Sequence, residues 1–378
     1  MIVPGKGVIH VRLRHRWFLL LPVAIVLIFV AGCGTSASSP STGAATTQPG
    51  KGFTVLGLAP GPLSGPGAGT IFIGRNGDHF RSVVYVRGAN SFLPATTPGG
   101  HRAFVATEAG KTYVLSLPDG GVKSSFATPA GGRLAVVSPG GGHVYVIGGS
   151  FTAAYDTAAP YRLVALLKQG GNALVISPGG HHGYLAGNFR SNILKLNLPG
   201  LTVAATAGVG GTGDLAISPD GKRLWAADMF NGNLYVVDTA AMRLVHTIST
   251  PEGDPAINLH NLMAATAGFM QLSMNHSGKR LYAAGFSGHV LVFDTSTYKY
   301  TSLAIKVPPG KSPAMGGTSA PAATPAPPKL SGLVVLPSGR RMIATAENYK
   351  TTLLLSTRTG RTLATYPGVA SNRWIVVG

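Results

Sequence analysis

The chain reads as short apolar runs cut by turns. The clearest stretch starts with Leu215-Ala216-Ile217, the turn phrase Ser218-Pro219-Asp220-Gly221, and Arg223-Leu224-Trp225-Ala226-Ala227. A loop from Asp228 to Gly232 follows, then Asn233-Leu234-Tyr235-Val236-Val237-Asp238-Thr239, a short turn, and Arg243-Leu244-Val245-His246-Thr247-Ile248. Short runs of Val, Leu, Ile and aromatic residues bounded by Gly, Pro, Asn and Asp are strand signals. The stretch therefore predicts four short strands in succession. The same order returns in Lys279-Arg280-Leu281-Tyr282-Ala283-Ala284 and Val290-Leu291-Val292-Phe293-Asp294-Thr295.

The turn phrase recurs along the chain. It reads Ser138-Pro139-Gly140-Gly141 and Ser177-Pro178-Gly179-Gly180, with weaker copies at Thr97–Gly100, His276–Gly278 and Leu336–Gly339. The final glycines stand at 100, 141, 180, 221, 278 and 339, so the period is near 40 with two longer intervals. Four antiparallel strands at that period are the signature of a β-propeller blade. Six phrases give six blades. Thr54–Leu58, Thr70–Ile73 and Val83–Val86 upstream, with Trp374–Val377 downstream, supply three strands and one. Together they predict a seventh blade shared by the two ends, which closes the ring and removes its open edges. The expected fold is all-β: one seven-bladed propeller over residues 53–378, with six blades as the alternative count.

The run from Ile217 to Asp228, with Asn233–Thr239 and Arg243–Ile248, resembles the YVTN-type β-propeller repeat, a relative of the WD40 repeat. The resemblance covers about residues 53–378 and implies the fold. Some seven-bladed relatives are lactonases, so it also admits a hydrolase of that type without locating its residues.

Composition narrows the class. Apolar residues make up 45% and charged residues only 11%, which disfavours coiled coils; Gly is 53 and Pro 27 without a Gly-X-Y period, which excludes collagen. The single Cys excludes an intramolecular disulfide framework and a Cys-based zinc site. That residue, Cys33, sits at the end of a telling segment. Lys6, Arg12, Arg14 and Arg16 precede an uncharged, mostly apolar run from Trp17 to Ala31, and Val30-Ala31-Gly32-Cys33 ends it. The run is short for a membrane span, which needs about 20 residues. The segment resembles a bacterial lipoprotein signal peptide with its lipobox. This implies cleavage after residue 32, a covalent lipid on Cys33 and a location on the extracytoplasmic face of the cell membrane. Residues 34–52, rich in Ser, Thr, Gly and Pro, read as a flexible tether. Losing residues 1–32 removes those four cations and no acid, leaving 27 basic residues against 12 acidic, or +15. Such a charge favours anionic lipid or an anionic wall polymer as neighbour. The cations are scattered rather than gathered in a stripe, so nucleic acid is not an expected partner.

Most repeated residues have structural roles. The turn glycines suit positive φ, and Asp156, Asp238 and Asp294, each followed by Thr, are expected to accept hydrogen bonds from the following turn. Function is expected on the other face of the ring, formed by the B–C and D–A loops, where the chain varies. The B–C loops carry Asn188-Phe189-Arg190, Asp228-Met229-Phe230-Asn231, Gly285-Phe286-Ser287 and Glu347-Asn348-Tyr349-Lys350. Exposed aromatics would supply a binding surface for a protein or small ligand. The long D–A loop Pro251–Gly268, with Glu252, Asp254 and His260, reads as a lid; the other, Pro308–Pro328, reads as solvated. The best catalytic set is Asp228, Glu347 and His260. No nucleophile elbow or Walker loop occurs, and no metal or cofactor beyond the lipid is expected. A passive scaffold within a membrane complex is the third reading.

Overall fold

The computed structural model describes residues 53–59, 68–87, 93–187, 191–229, 231–253, 268–308 and 326–377. The described residues form seven four-stranded antiparallel sheets. Counted from the N-terminus and from the inner strand outward, blade 1 is Arg373–Val377, Thr54–Ala59, Ala68–Arg75 and Asp78–Arg87. Blade 2 is Ala95–Thr96, Arg102–Thr107, Lys111–Ser116 and Val122–Ala127; blade 3 is Gly132–Val137, His143–Gly148, Thr152–Asp156 and Leu163–Leu167. Blade 4 is Ala173–Ile176, His182–Ala186, Asn192–Asn197 and Thr202–Gly208; blade 5 is Thr212–Ile217, Arg223–Asp228, Asn233–Asp238 and Arg243–Ser249. Blade 6 is Phe269–Met274, Arg280–Gly285, His289–Asp294 and Tyr300–Ala304; blade 7 is Leu330–Val335, Arg341–Ala346, Thr351–Ser356 and Thr362–Pro367. The expected count, and the three-plus-one composition of the closing blade, are both found.

Seven apolar clusters lie one between each pair of neighbouring blades. Between blades 5 and 6, Trp225, Ala227 and Leu234 meet Leu281, Ala283 and Phe293. Between blades 6 and 7, Tyr282, Ala284 and Val292 meet Leu333, Met342 and Leu353. Successive strand residues thus enter opposite clusters, so the middle strands are apolar on both sides. The cluster of Val55, Phe72, Ile343 and Trp374 joins blade 7 to blade 1 and completes the ring.

The turn phrase has a local logic. In each strong copy the Gly amide donates to the Ser carbonyl at 2.8 Å, and the Ser hydroxyl accepts the amide that opens the next strand. Gly221 takes φ +71, which a side chain would resist. The C–D turns fasten to these A–B turns: Thr157, Thr239, Thr295 and Thr357 each donate a hydroxyl to the carbonyl of the turn Gly, at 2.5–2.7 Å. Asp238 and Asp294 accept two following amides each, as expected. Asp156 differs: its turn is one residue longer, and its carboxylate pairs with Arg162 at 3.2 Å instead.

Candidate functional site

The B–C and D–A loops share one face, where the Thr250 hydroxyl donates to Gly232 O at 2.6 Å. Of the aromatics expected there, the two that are described, Phe286 and Tyr349, pack inward. Phe286 is buried, with its amide on Gly268 O at 3.1 Å and Lys329 Nζ 4.5 Å from its ring centre. Met229 is buried against Gly213. Tyr349 is half-buried against the blade 6/7 cluster and donates its hydroxyl to Ala326 O at 2.6 Å. Asn348, beside it, accepts from Lys329 N at 2.8 Å and donates to Pro327 O at 3.0 Å. These two side chains moor the returning chain, and Lys350 stands exposed in a left-handed cap. Gly213 leaves the room Met229 needs, since a Cβ there would meet it.

Asp228 is fully buried. Its carboxylate accepts from Asn231 N and Nδ2 at 3.1 and 3.0 Å and from the Tyr235 hydroxyl at 2.9 Å. This closes the B–C loop on itself. Among the expected residues, 188–190, Phe230, Asp254, His260 and Cys33 lie outside the described residues.

Glu252 is also buried, at 1% exposure. It latches the D–A loop onto the B–C loop of blade 6, accepting from the Ser287 hydroxyl and from Ser287 N at 3.3 Å. Gly285 leaves the room its carboxyl needs. Ser287 Oγ also lies 2.9 Å from His289 Nδ1, so a carboxylate, a hydroxyl and an imidazole stand in series. Burial pushes the Glu252 carboxyl above its ordinary value, against the opposing pull of the Ser287 hydroxyl and amide, the Gly268 amide and His289. Burial likewise raises Glu347, with Ser331 and Lys329 opposing. The serine lies between acid and histidine, so the histidine is not oriented by the acid as a nucleophile-activating base would be.

A polar network crosses the axis, made of residues the sequence reading did not single out. Arg373 of blade 1 pairs with Asp214 of blade 5, each side chain 8% exposed, and also donates to Gly213 O at 3.1 Å. Asp214 accepts Leu272 N at 2.7 Å. Gln271 of blade 6 clamps Trp374, accepting its amide at 2.9 Å and donating to its carbonyl at 2.7 Å. Bulges between Thr212 and Asp214 and between Phe269 and Leu272 break the strand register beside these residues, the usual way a strand re-aims a side chain.

One polar hollow opens on the loop face between blades 3 and 4. It has a volume of about 300 Å³ and is lined by Ser150, Lys168, Gln169, Gly170, Gly187 and Asn192. Gly170 passes too close to the Gly148 and Gly149 backbone for any side chain, which sets the floor. Among the described residues no group of three or more His, Cys, Asp or Glu side chains could hold a metal ion, and no helix is long and apolar enough to cross a membrane.

No protein-family model matches the chain, and no curated protein matches it. Among solved structures, the hydrazine synthase of Kuenenia stuttgartiensis is similar, with a TM-score of 0.61 at 15% identity over 75% of this chain and 88% of that one. Likeness at that identity is one of fold.

Proposed function

We propose that the protein is an extracytoplasmic lipoprotein, held to the membrane through Cys33, whose propeller of YVTN-type repeats is a binding module acting through its B–C/D–A face. The observation that carries this reading is the hollow between blades 3 and 4. Its volume of about 300 Å³ falls at the lower end of the range for small-ligand sites, and its lining is polar, which suits a polar ligand. Lys168, Gln169, Ser150 and Asn192 offer it one cation and several hydrogen-bonding groups, which suits a sugar or an anionic wall fragment. The alternative, a lactonase-type hydrolase, loses Asp228 as acid or base, because that carboxylate is sealed and committed to its own loop.

The test is a thermal-shift screen of the full chain against sugars, phosphorylated wall fragments, lactones and divalent ions. A ligand at about 100 times its Kd adds about 2.7 kcal/mol to stability. A shift with one class that disappears in Lys168→Glu/Asn192→Ala supports the reading. A shift that survives the double substitution, or none with any class, refutes this hollow as the site. Lipidation is tested separately: Cys33→Ser should abolish labelling by fatty acid, and a variant still labelled refutes the anchor.

A further inference from the structure

The repeat supplies an internal comparison on the opposite face. Each C–D turn in blades 3 to 7 closes through a residue at positive φ: Tyr161 at +58, Leu201 at +56, Met242 at +47, Tyr298 at +59 and Gly360 at +69. Left-handed backbone is costly for bulky side chains, so something must offset it. The offset is packing into the cleft shared with the preceding blade. Tyr161 stacks on Phe126 at 4.8 Å, and Leu201 and Met242 are buried in their inter-blade clusters. Tyr298 stacks on His246 at 4.6 Å and leans on Trp225 at 5.7 Å.

Gly360 carries no such side chain between blades 6 and 7, and a Cβ there would meet Leu303 and the buried Ile305 at 3.1 Å. A cavity of about 290 Å³ lies in the same cleft, beside the turn rather than at Gly360 itself. Its walls are Tyr282, Val292 and Leu303, and its mouth carries Arg280, Arg358 and Thr357. Arg280 is the counterpart of Arg223, which is neutralised by Asp238 of its own blade. Asp294, the counterpart of Asp238, gives its Oδ1 to the turn through Ser296 and Thr297 and forms no ion pair with Arg280. Neither Arg280 nor Arg358 has an ion-pair partner among the described residues. The adjoining hollow of about 350 Å³ past Gly360 adds Lys306 and Arg361 to the positive field.

We propose that this cleft is a binding site for an anionic aromatic group: a flat apolar body about the size of a tyrosine ring bearing a carboxylate or phosphate. The ring takes the place that Tyr298 fills in the neighbouring cleft, against Tyr282, Val292 and Leu303. The anion meets two guanidinium groups, which bind carboxylate and phosphate with paired hydrogen bonds. The site lies on the turn face and stands independently of the loop-face reading.

Calorimetric titration of the full chain with phenyl phosphate, and with inorganic phosphate as the headgroup alone, tests it. The wild type should bind phenyl phosphate at least about tenfold tighter than inorganic phosphate, since the ring's burial is worth that factor or more. Arg280→Gln/Arg358→Gln should weaken phenyl phosphate about tenfold or more. The proposal is overturned if phenyl phosphate fails to bind at about 10 mM, if it binds no tighter than phosphate, or if the double Gln variant, whose substitutions are at exposed positions, binds it as the wild type does.

Discussion

The ion pair between Asp214 and Arg373 should be a main fastening of the closed ring. It links the last strand to blade 5, and both side chains are almost wholly withdrawn from water. Removing one partner of a buried pair strands the other charge and typically costs about 3–5 kcal/mol. At Asp214 the loss is compounded, because Leu272 N loses its acceptor, a further cost of about 1–3 kcal/mol. Arg373→Met should therefore lower unfolding free energy by about 3–5 kcal/mol, and Asp214→Leu by somewhat more. The double variant Asp214→Leu/Arg373→Met should recover much of this, since two apolar groups of similar volume need no neutralisation. Urea unfolding followed by tryptophan fluorescence reads all three, with Trp374 beside the substitution as reporter. If each single variant costs less than about 1 kcal/mol, the range of exposed pairs, the pair is no fastening and the reasoning fails.

Two further outcomes follow from the described contacts. The Glu252 carboxyl is raised above its ordinary value by burial, so the folded protein holds that proton more firmly than the unfolded chain; this contribution is fully present below the ordinary carboxyl value and is lost as pH rises through the raised one. Glu252→Gln should flatten the fall in stability over that window, leaving a smaller slope of the same sign from Glu347, and an unchanged pH profile would sink the assignment. Tyr298→Gly should lose the stacking on His246 and Trp225 while relieving left-handed strain, for a net cost of about 2 kcal/mol by denaturant unfolding; a neutral result would show that the plug does not pack.

Blade number and closure were legible because their causes are local. A Ser-Pro-Gly-Gly turn has the same chemistry wherever it falls, so its spacing counts blades directly. The strands left over at the two ends can only pair with each other. The axial network was not legible for the converse reason. Asp214, Gln271 and Arg373 lie in ordinary strand sequence and acquire partners only when blades 5, 6 and 1 converge. The loop aromatics show a third case. Their recurrence was visible, but the inward packing of Phe286 and Tyr349 depends on neighbouring loops that meet only in the fold. Gly268 receives the Phe286 amide from across the loop, and Gly213 lies under Met229. Glu252 likewise reads as part of a lid when seen beside its neighbours in sequence. Its latch to Ser287 forms only because Gly285 opens space in the next blade.

The same logic makes the departures from the repeat the informative positions. A turn residue such as Leu201 or Met242 says nothing in sequence, yet in the fold each fills a cleft at the expense of backbone strain. The fold therefore has a way to close these gaps and uses it on both sides of blade 5. At Gly360 the strain is relieved with Leu303 and Ile305 standing beside it, and in the same cleft two arginines without an ion-pair partner among the described residues face a cavity. Stability alone does not favour that exchange. Lost packing costs on the order of 2 kcal/mol. An occupant with an apolar ring recovers that packing and its negative charge meets the two guanidinium groups, which is why the open cleft between blades 6 and 7 is read as a site and not as a packing fault.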